Sequence, residues 1–85
     1  MEERIGIVGI LLDTNELAGQ VNEVLHQHSE LILGRMGLPY REYGISVISL
    51  IVKGTTDEIS SLTGQLGQIN GVNVKSAIHK EALQQ

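Results

Sequence analysis

Apolar residues on both parities of a short run mark a strand covered on two faces, and two segments of the chain carry that pattern. The first, Arg4 to Leu12, reads RIGIVGILL and predicts strand β1 over about residues 4–12. Beyond it, Leu17, Ala18, Val21, Val24, Leu25 and His28 recur at three- and four-residue spacing, with Gln20, Asn22, Glu23 and Gln27 between them. That is the stripe of an amphipathic helix, α1, expected over about 14–29. Its start signal is Asp13-Thr14-Asn15-Glu16, with Asp13 placed to accept from the first free backbone N–H groups and Glu16 to reach back.

Leu31 to Met36 (LILGRM) is short and apolar and runs into Gly37-Leu38-Pro39. Pro39 offers no ladder donor, so strand β2, about 31–37, is expected at a sheet edge. Tyr40 to Gly44 makes a polar turn, and the second doubly apolar run, ISVISLIV from Ile45 to Val52, predicts a central strand β3 over about 44–53. Thr55-Thr56-Asp57-Glu58 is a capping box, and Ile59, Leu62, Leu66 and Ile69 give helix α2 over about 56–69, closed by Asn70-Gly71. Val72, Val74, Ser76 and Ile78 alternate with Asn73, Lys75, Ala77 and His79, the half-buried period of an edge strand β4, about 72–79. The tail from Lys80 is expected to fray.

Overlaying the two helix starts exposes a repeat. Asp13 matches Thr55, Glu16 matches Glu58, Leu17 matches Ile59 and Val24 matches Leu66, at a constant offset of 42 residues. Two βαβ halves interleave into an α+β, ferredoxin-like βαββαβ sandwich: a four-stranded antiparallel sheet of order 4-1-3-2 with both helices on one face. The other face then has no cover within the chain. Water on that side would demand apolar and polar alternation in β1 and β3, which they lack. The open face is therefore expected to be an interface of a homo-oligomer, a dimer or a tetramer.

Composition narrows the function classes. A single domain of 85 residues buries only about 60 to 65% of its unfolded surface, so added burial between subunits is valuable. There is no cysteine, which removes disulfides and thiolate metal sites and is compatible with a reducing compartment. Neither a basic leader nor an apolar run of roughly 20 residues is present, so a cytoplasmic protein with no membrane association is expected. A net charge of −4 has the wrong sign for binding nucleic acid through the overall field. Tyr40 and Tyr43 are the only aromatic residues of the chain, too few for a base-stacking platform or a flat cofactor.

Three segments, VNEVLH (Val21 to His26), RMGLPYR (Arg35 to Arg41) and LTGQLGQINGVNVK (Leu62 to Lys75), make the chain similar to the iron-only hydrogenase system regulators, small ACT-like proteins. The likeness runs from β1 to β4. That family in turn resembles the C-terminal effector-binding and tetramerising domain of nickel-responsive repressors. The resemblance implies a ligand-sensing or assembly role linked to expression or maturation of an iron-only hydrogenase. Repressors of that type carry a ribbon-helix-helix segment ahead of this domain, whereas β1 is expected here from about Arg4. Any DNA contact is accordingly expected to belong to a partner protein.

Candidate site residues fall into three groups. The loop Asp13-Thr14-Asn15 sits where ACT domains bind small effectors, on helix-start N–H groups that favour a polar or anionic ligand. Capping alone also accounts for the loop, and Asp13 argues against an anion. Arg35 and Arg41 flank the β2–β3 connection and could hold a carboxylate or phosphate, or serve as charges that protect an edge strand. His26, His28 and His79 are weak metal candidates, because His26 and His28 stand about 200° apart on a helix and cannot readily chelate one ion. No cofactor is expected. Ser46, Ser49, Ser60 and Ser61 have no base on a recognisable elbow, so no enzyme activity is expected. Three roles stay open: an effector-sensing regulator, an assembly or adaptor protein with no small ligand, and a metal sensor. Gly64 and Gly67, unfavourable inside a helix, are expected to mark close packing of α2 on the sheet or on another subunit.

Overall fold

The computed structural model describes residues 2–84. Four strands, β1 (Arg4–Leu12), β2 (Ile32–Tyr40), β3 (Ile45–Gly54) and β4 (Val72–Ile78), form one antiparallel sheet in the order β2-β3-β1-β4. Both helices, α1 (Ala18–Gln27) and α2 (Thr56–Gly67), pack on the same side of it. This is the expected ferredoxin-like arrangement, with the two doubly apolar strands at the centre and the strand containing Pro39 at an edge.

The core lies between the sheet and the helices. Val8, Ile10 and Leu12 of β1, Ile48, Leu50 and Val52 of β3, and Val72 of β4 meet Val21 and Leu25 of α1 and Ile59, Leu62 and Leu66 of α2. Each fully buried aliphatic side chain of this kind contributes roughly 1.5–3 kcal/mol, which is why the helix stripes and the inner strand parity fix the fold.

The two helix starts differ. At α2 the capping box is complete: Thr55 Oγ1 accepts from the Glu58 N–H at 3.1 Å and the Glu58 carboxylate accepts from the Thr55 N–H at 2.8 Å. Ahead of α1 the capping side chain is Thr14, not Asp13: its Oγ1 accepts from the Glu16 N–H at 3.3 Å and caps the turn that leads into the helix, while α1 itself has Leu17 at its N-cap and no side-chain cap. The expected helix over 14–29 is divided accordingly. A 3₁₀ turn, Asn15–Leu17, precedes α1, and a second one, Ser29–Leu31, follows it. The break at the far end is made by His28, whose ring Nδ1 bonds to the Val24 carbonyl at 2.9 Å and whose backbone has left helical geometry.

The junction of the halves is tied by the backbone. The Asp13 N–H donates to the Gly71 carbonyl at 2.9 Å, and Gly71 has φ +88, a conformation that needs glycine. A side chain there would also meet Leu17 Cδ1 at 2.9 Å. The tail differs from the expected frayed end: the Leu83 N–H donates to the Glu3 carbonyl at 2.7 Å, and Arg4 Nη1 donates to the carbonyls of His79 and Lys80.

β2 runs three residues further than its sequence suggests, through Pro39 to Tyr40. As an edge strand it has one free side, so the missing proline N–H is tolerated. Its register with β3 shifts between Ile32 and Gly34, a bulge that inserts Leu33 and exchanges the two faces of everything beyond it. Arg35 therefore pairs with Leu50 on the helix side, while Met36 and Leu38 pair with Ser49 and Val47 on the other.

That other face carries Ile7, Leu11, Met36, Leu38 and Ile51, between 49% and 74% exposed. Near its centre Gly9 lies opposite Ser49. A Cβ at Gly9 would meet only the Lys75 carbonyl oxygen, at 3.8 Å, so nothing within the chain requires a glycine there. Gly64 and Gly67 correct one half of an expectation, the packing of α2 on its own sheet. A Cβ at either one meets nothing within 4 Å, and α2 therefore makes no close approach to its own sheet through these two residues.

Candidate binding cleft

The bulge in β2 has a functional consequence, because it turns Arg35 toward α1. Arg35 Nη2 donates to Asn22 Oδ1 at 2.8 Å, joining the edge strand to the outer side of the helix. This bond lies in an open cleft of about 530 Å³ whose lining is Asn22, Leu25, His26, Ser29, Ile32 and Arg35. A smaller hollow of about 190 Å³ also touches Asn22 and Arg35 and reaches Leu12, Ala18, Pro39 and Ser46. The cleft thus presents a guanidinium, an imidazole, an amide and a hydroxyl over two aliphatic side chains.

Asn15 extends this polar line. Its Oδ1 accepts a hydrogen bond from Ser46 Oγ, which ties the loop after β1 to the start of β3. Thr14 is engaged in capping, and Asp13 is anchored through its backbone against the turn after α2. Of the loop candidates, Asn15 alone is linked by hydrogen bond to a residue lining a hollow beside Arg35. Arg41 stands apart, in the turn after β2 and about 20 Å further along at strand spacing. The two arginines do not converge. At that turn Tyr40 and Tyr43 pack edge to face, with ring centres 5.1 Å apart.

The histidines separate as well. His26 lines the cleft. His28 is held by Val24 and lines another hollow with Glu30 and Glu58. His79, beyond the end of β4, accepts at Nδ1 from the Glu81 N–H at 3.1 Å. Among the described residues no three His, Cys, Asp or Glu side chains gather in a geometry that could hold a metal ion.

Asn22 and Ser29 are members of the cleft that sequence reasoning missed. Asn22, His26 and Ser29 follow one another at four- and three-residue spacing along the outer side of α1 and past its end. That polar stripe is legible, but the arginine opposite it depends on the bulge.

The profile of the TM1266-like family, described as "Iron-only hydrogenase system regulator, putative", matches residues 4–76. The chain belongs to this family. Among solved structures, the uncharacterized protein TM1266 from Thermotoga maritima shares 45% identity with it at a TM-score of 0.87, covering 93% of this chain and 100% of that one. The ACT domain of GTP pyrophosphokinase from Chlorobium tepidum superposes at a TM-score of 0.70 with 19% identity, covering 95% of this chain and 91% of that one. A nitrogen regulatory PII-like protein from Thiomonas intermedia, bound to ADP, AMP and bicarbonate, reaches a TM-score of 0.52 at 11% identity, with 92% of each chain covered. The last two likenesses concern the fold: this TM1266-like chain is ACT-like. No curated protein sequence matches it. Among the described residues, no helix is long and apolar enough to cross a membrane.

Proposed function

We propose that this TM1266-like chain is a non-enzymatic regulatory module of an iron-only hydrogenase system that works as a homo-oligomer and senses a small effector. The observation that carries this reading is the apolar sheet face. Ile7, Leu11, Met36, Leu38 and Ile51 lie together on it, an arrangement that calls for a covering surface. Gly9 at its centre favours close approach by another backbone, since the chain itself leaves room for a side chain there. A second copy is the natural cover, because a two-fold axis matches the patch to itself. Sensing is assigned to the side of the sheet that carries α1, with the Asp13–Asn15 loop and Arg35 as its contacts and Arg41 as an outer one. A net charge of −4 leaves any DNA contact to another protein.

Light scattering coupled to size exclusion tests the assembly. A mass of twice 9.2 kDa or a higher multiple is expected, and a monomer at every concentration overturns it. In that case the face belongs to another protein and an adaptor role replaces this one. Thermal shift against amino acids, nucleotides and divalent metals tests sensing, since a ligand at 100 times its Kd stabilises by about 2.7 kcal/mol. Stabilisation by one class is expected; none by any of them removes the sensing half.

A further inference from the structure

We propose that the cleft between α1 and β2 binds a small organic carboxylate with a short aliphatic body, held by Arg35. The inference rests on the sensing reading above and names the chemistry of its ligand. Charge is the first argument. The chain has ten Asp and Glu residues against six Lys and Arg, yet none of the residues lining this cleft is acidic. Two other clefts differ in this respect: one carries Glu30 and Glu58, the other Glu2 and Asp57. Among the described residues the one ion pair is Arg4 with Glu2, so Arg35 has no carboxylate partner there.

The second argument is pre-organisation. A neutral amide, Asn22 Oδ1, takes one Nη2 hydrogen of Arg35 at 2.8 Å. It orients the guanidinium without neutralising it and leaves donors of the planar fork for a ligand. A carboxylate matches that fork with two parallel hydrogen bonds. A phosphate dianion asks for more positive charge than the cleft has, because no lysine or second arginine lines it. Leu25 and Ile32 then supply apolar contact for a short chain, while His26 and Ser29 on the helix side can bond a second polar group of the same molecule.

The test is an amide-resolved NMR titration of the full chain with butyrate, inorganic phosphate and, as an uncharged control, butanol. Saturable shifts centred on Asn22, His26, Ser29 and Arg35 are expected with butyrate. Phosphate should bind at least tenfold more weakly, and butanol should not saturate. Arg35→Gln, a change at an exposed side chain, should weaken butyrate at least tenfold while Tm and oligomer mass stay as in the parent; Asn22→Ala should give a smaller loss. Shifts that do not saturate, that centre elsewhere or that survive Arg35→Gln overturn the site. Phosphate binding as tightly as butyrate overturns the carboxylate assignment. Sizing on the same samples keeps the readings apart: an intact oligomer that ignores butyrate refutes this inference alone, and a monomer that binds it refutes only the assembly.

Discussion

The two faces of the central strands are made of the same residues and meet different fates. Val8, Ile10 and Leu12 of β1 and Leu50 and Val52 of β3 are at most 1% exposed beneath the helices. Ile7, Leu11 and Ile51, their immediate neighbours on the same strands, remain about half exposed. Hydrophobicity thus states that a side chain should leave water without stating what will cover it. On one face the chain's own helices supply that cover, and on the other no element among the described residues does.

The sharpest way to break this comparison is to change one apolar residue on each face. Leu50→Ala, under the helices, should cost about 2–5 kcal/mol by urea denaturation, because a cavity adds to the lost transfer energy. A loss below 1 kcal/mol would mean that the inner face is not the true core. Ile51→Lys, one residue along on the open face, should leave the far-UV circular dichroism of the fold unchanged while raising the dissociation constant of the assembly about 100-fold, roughly 2.7 kcal/mol. Sedimentation equilibrium reads this directly, and an unchanged constant would place the interface elsewhere.

A gentler variant asks about shape instead of polarity. Gly9→Val has room within the chain, with only a carbonyl oxygen at 3.8 Å, and valine suits a strand. Its Tm when dilute should be kept or raised, while subunit affinity falls about tenfold. The smallest expected effect concerns a third surface, the outer side of α2. If it faces water, Gly64→Ala should stabilise by at most about 1 kcal/mol in chemical denaturation. Destabilisation there would reveal that a neighbour packs on the helix as well as on the sheet.

The doubly apolar centre, the α2 capping box and the helix stripes are legible in the sequence because each rests on spacing within one element, and the sheet order follows from the 42-residue repeat between the two halves. The start of α1 was less legible. Asp13, Thr14 and Asn15 are all competent caps, and the selection of Thr14 follows from two distant partners, Gly71 holding the backbone of Asp13 and Ser46 holding the side chain of Asn15. The cleft was half legible. Arg35 and His26 stand out by residue type, but their meeting requires the one-residue bulge at Leu33, and LILGRM contains nothing that marks it beyond Gly34. Without the bulge, Arg35 would lie on the open face among the apolar side chains.

The strand order also governs how the chain reaches this structure. β2 and β3 are neighbours in sequence and close through a short turn, whereas β1 finds both of its partners, β3 and β4, far away along the chain. Joining Gly6 to Ile78 closes a loop of roughly 70 residues, under four doublings of the hairpin's few, and costs about 2 kcal/mol more in chain entropy. Completing the β1–β4 edge is therefore expected to be a late step of refolding. Until that edge closes, β1 offers an unpaired side to other chains, and a refolding yield that falls with rising protein concentration is the expected sign.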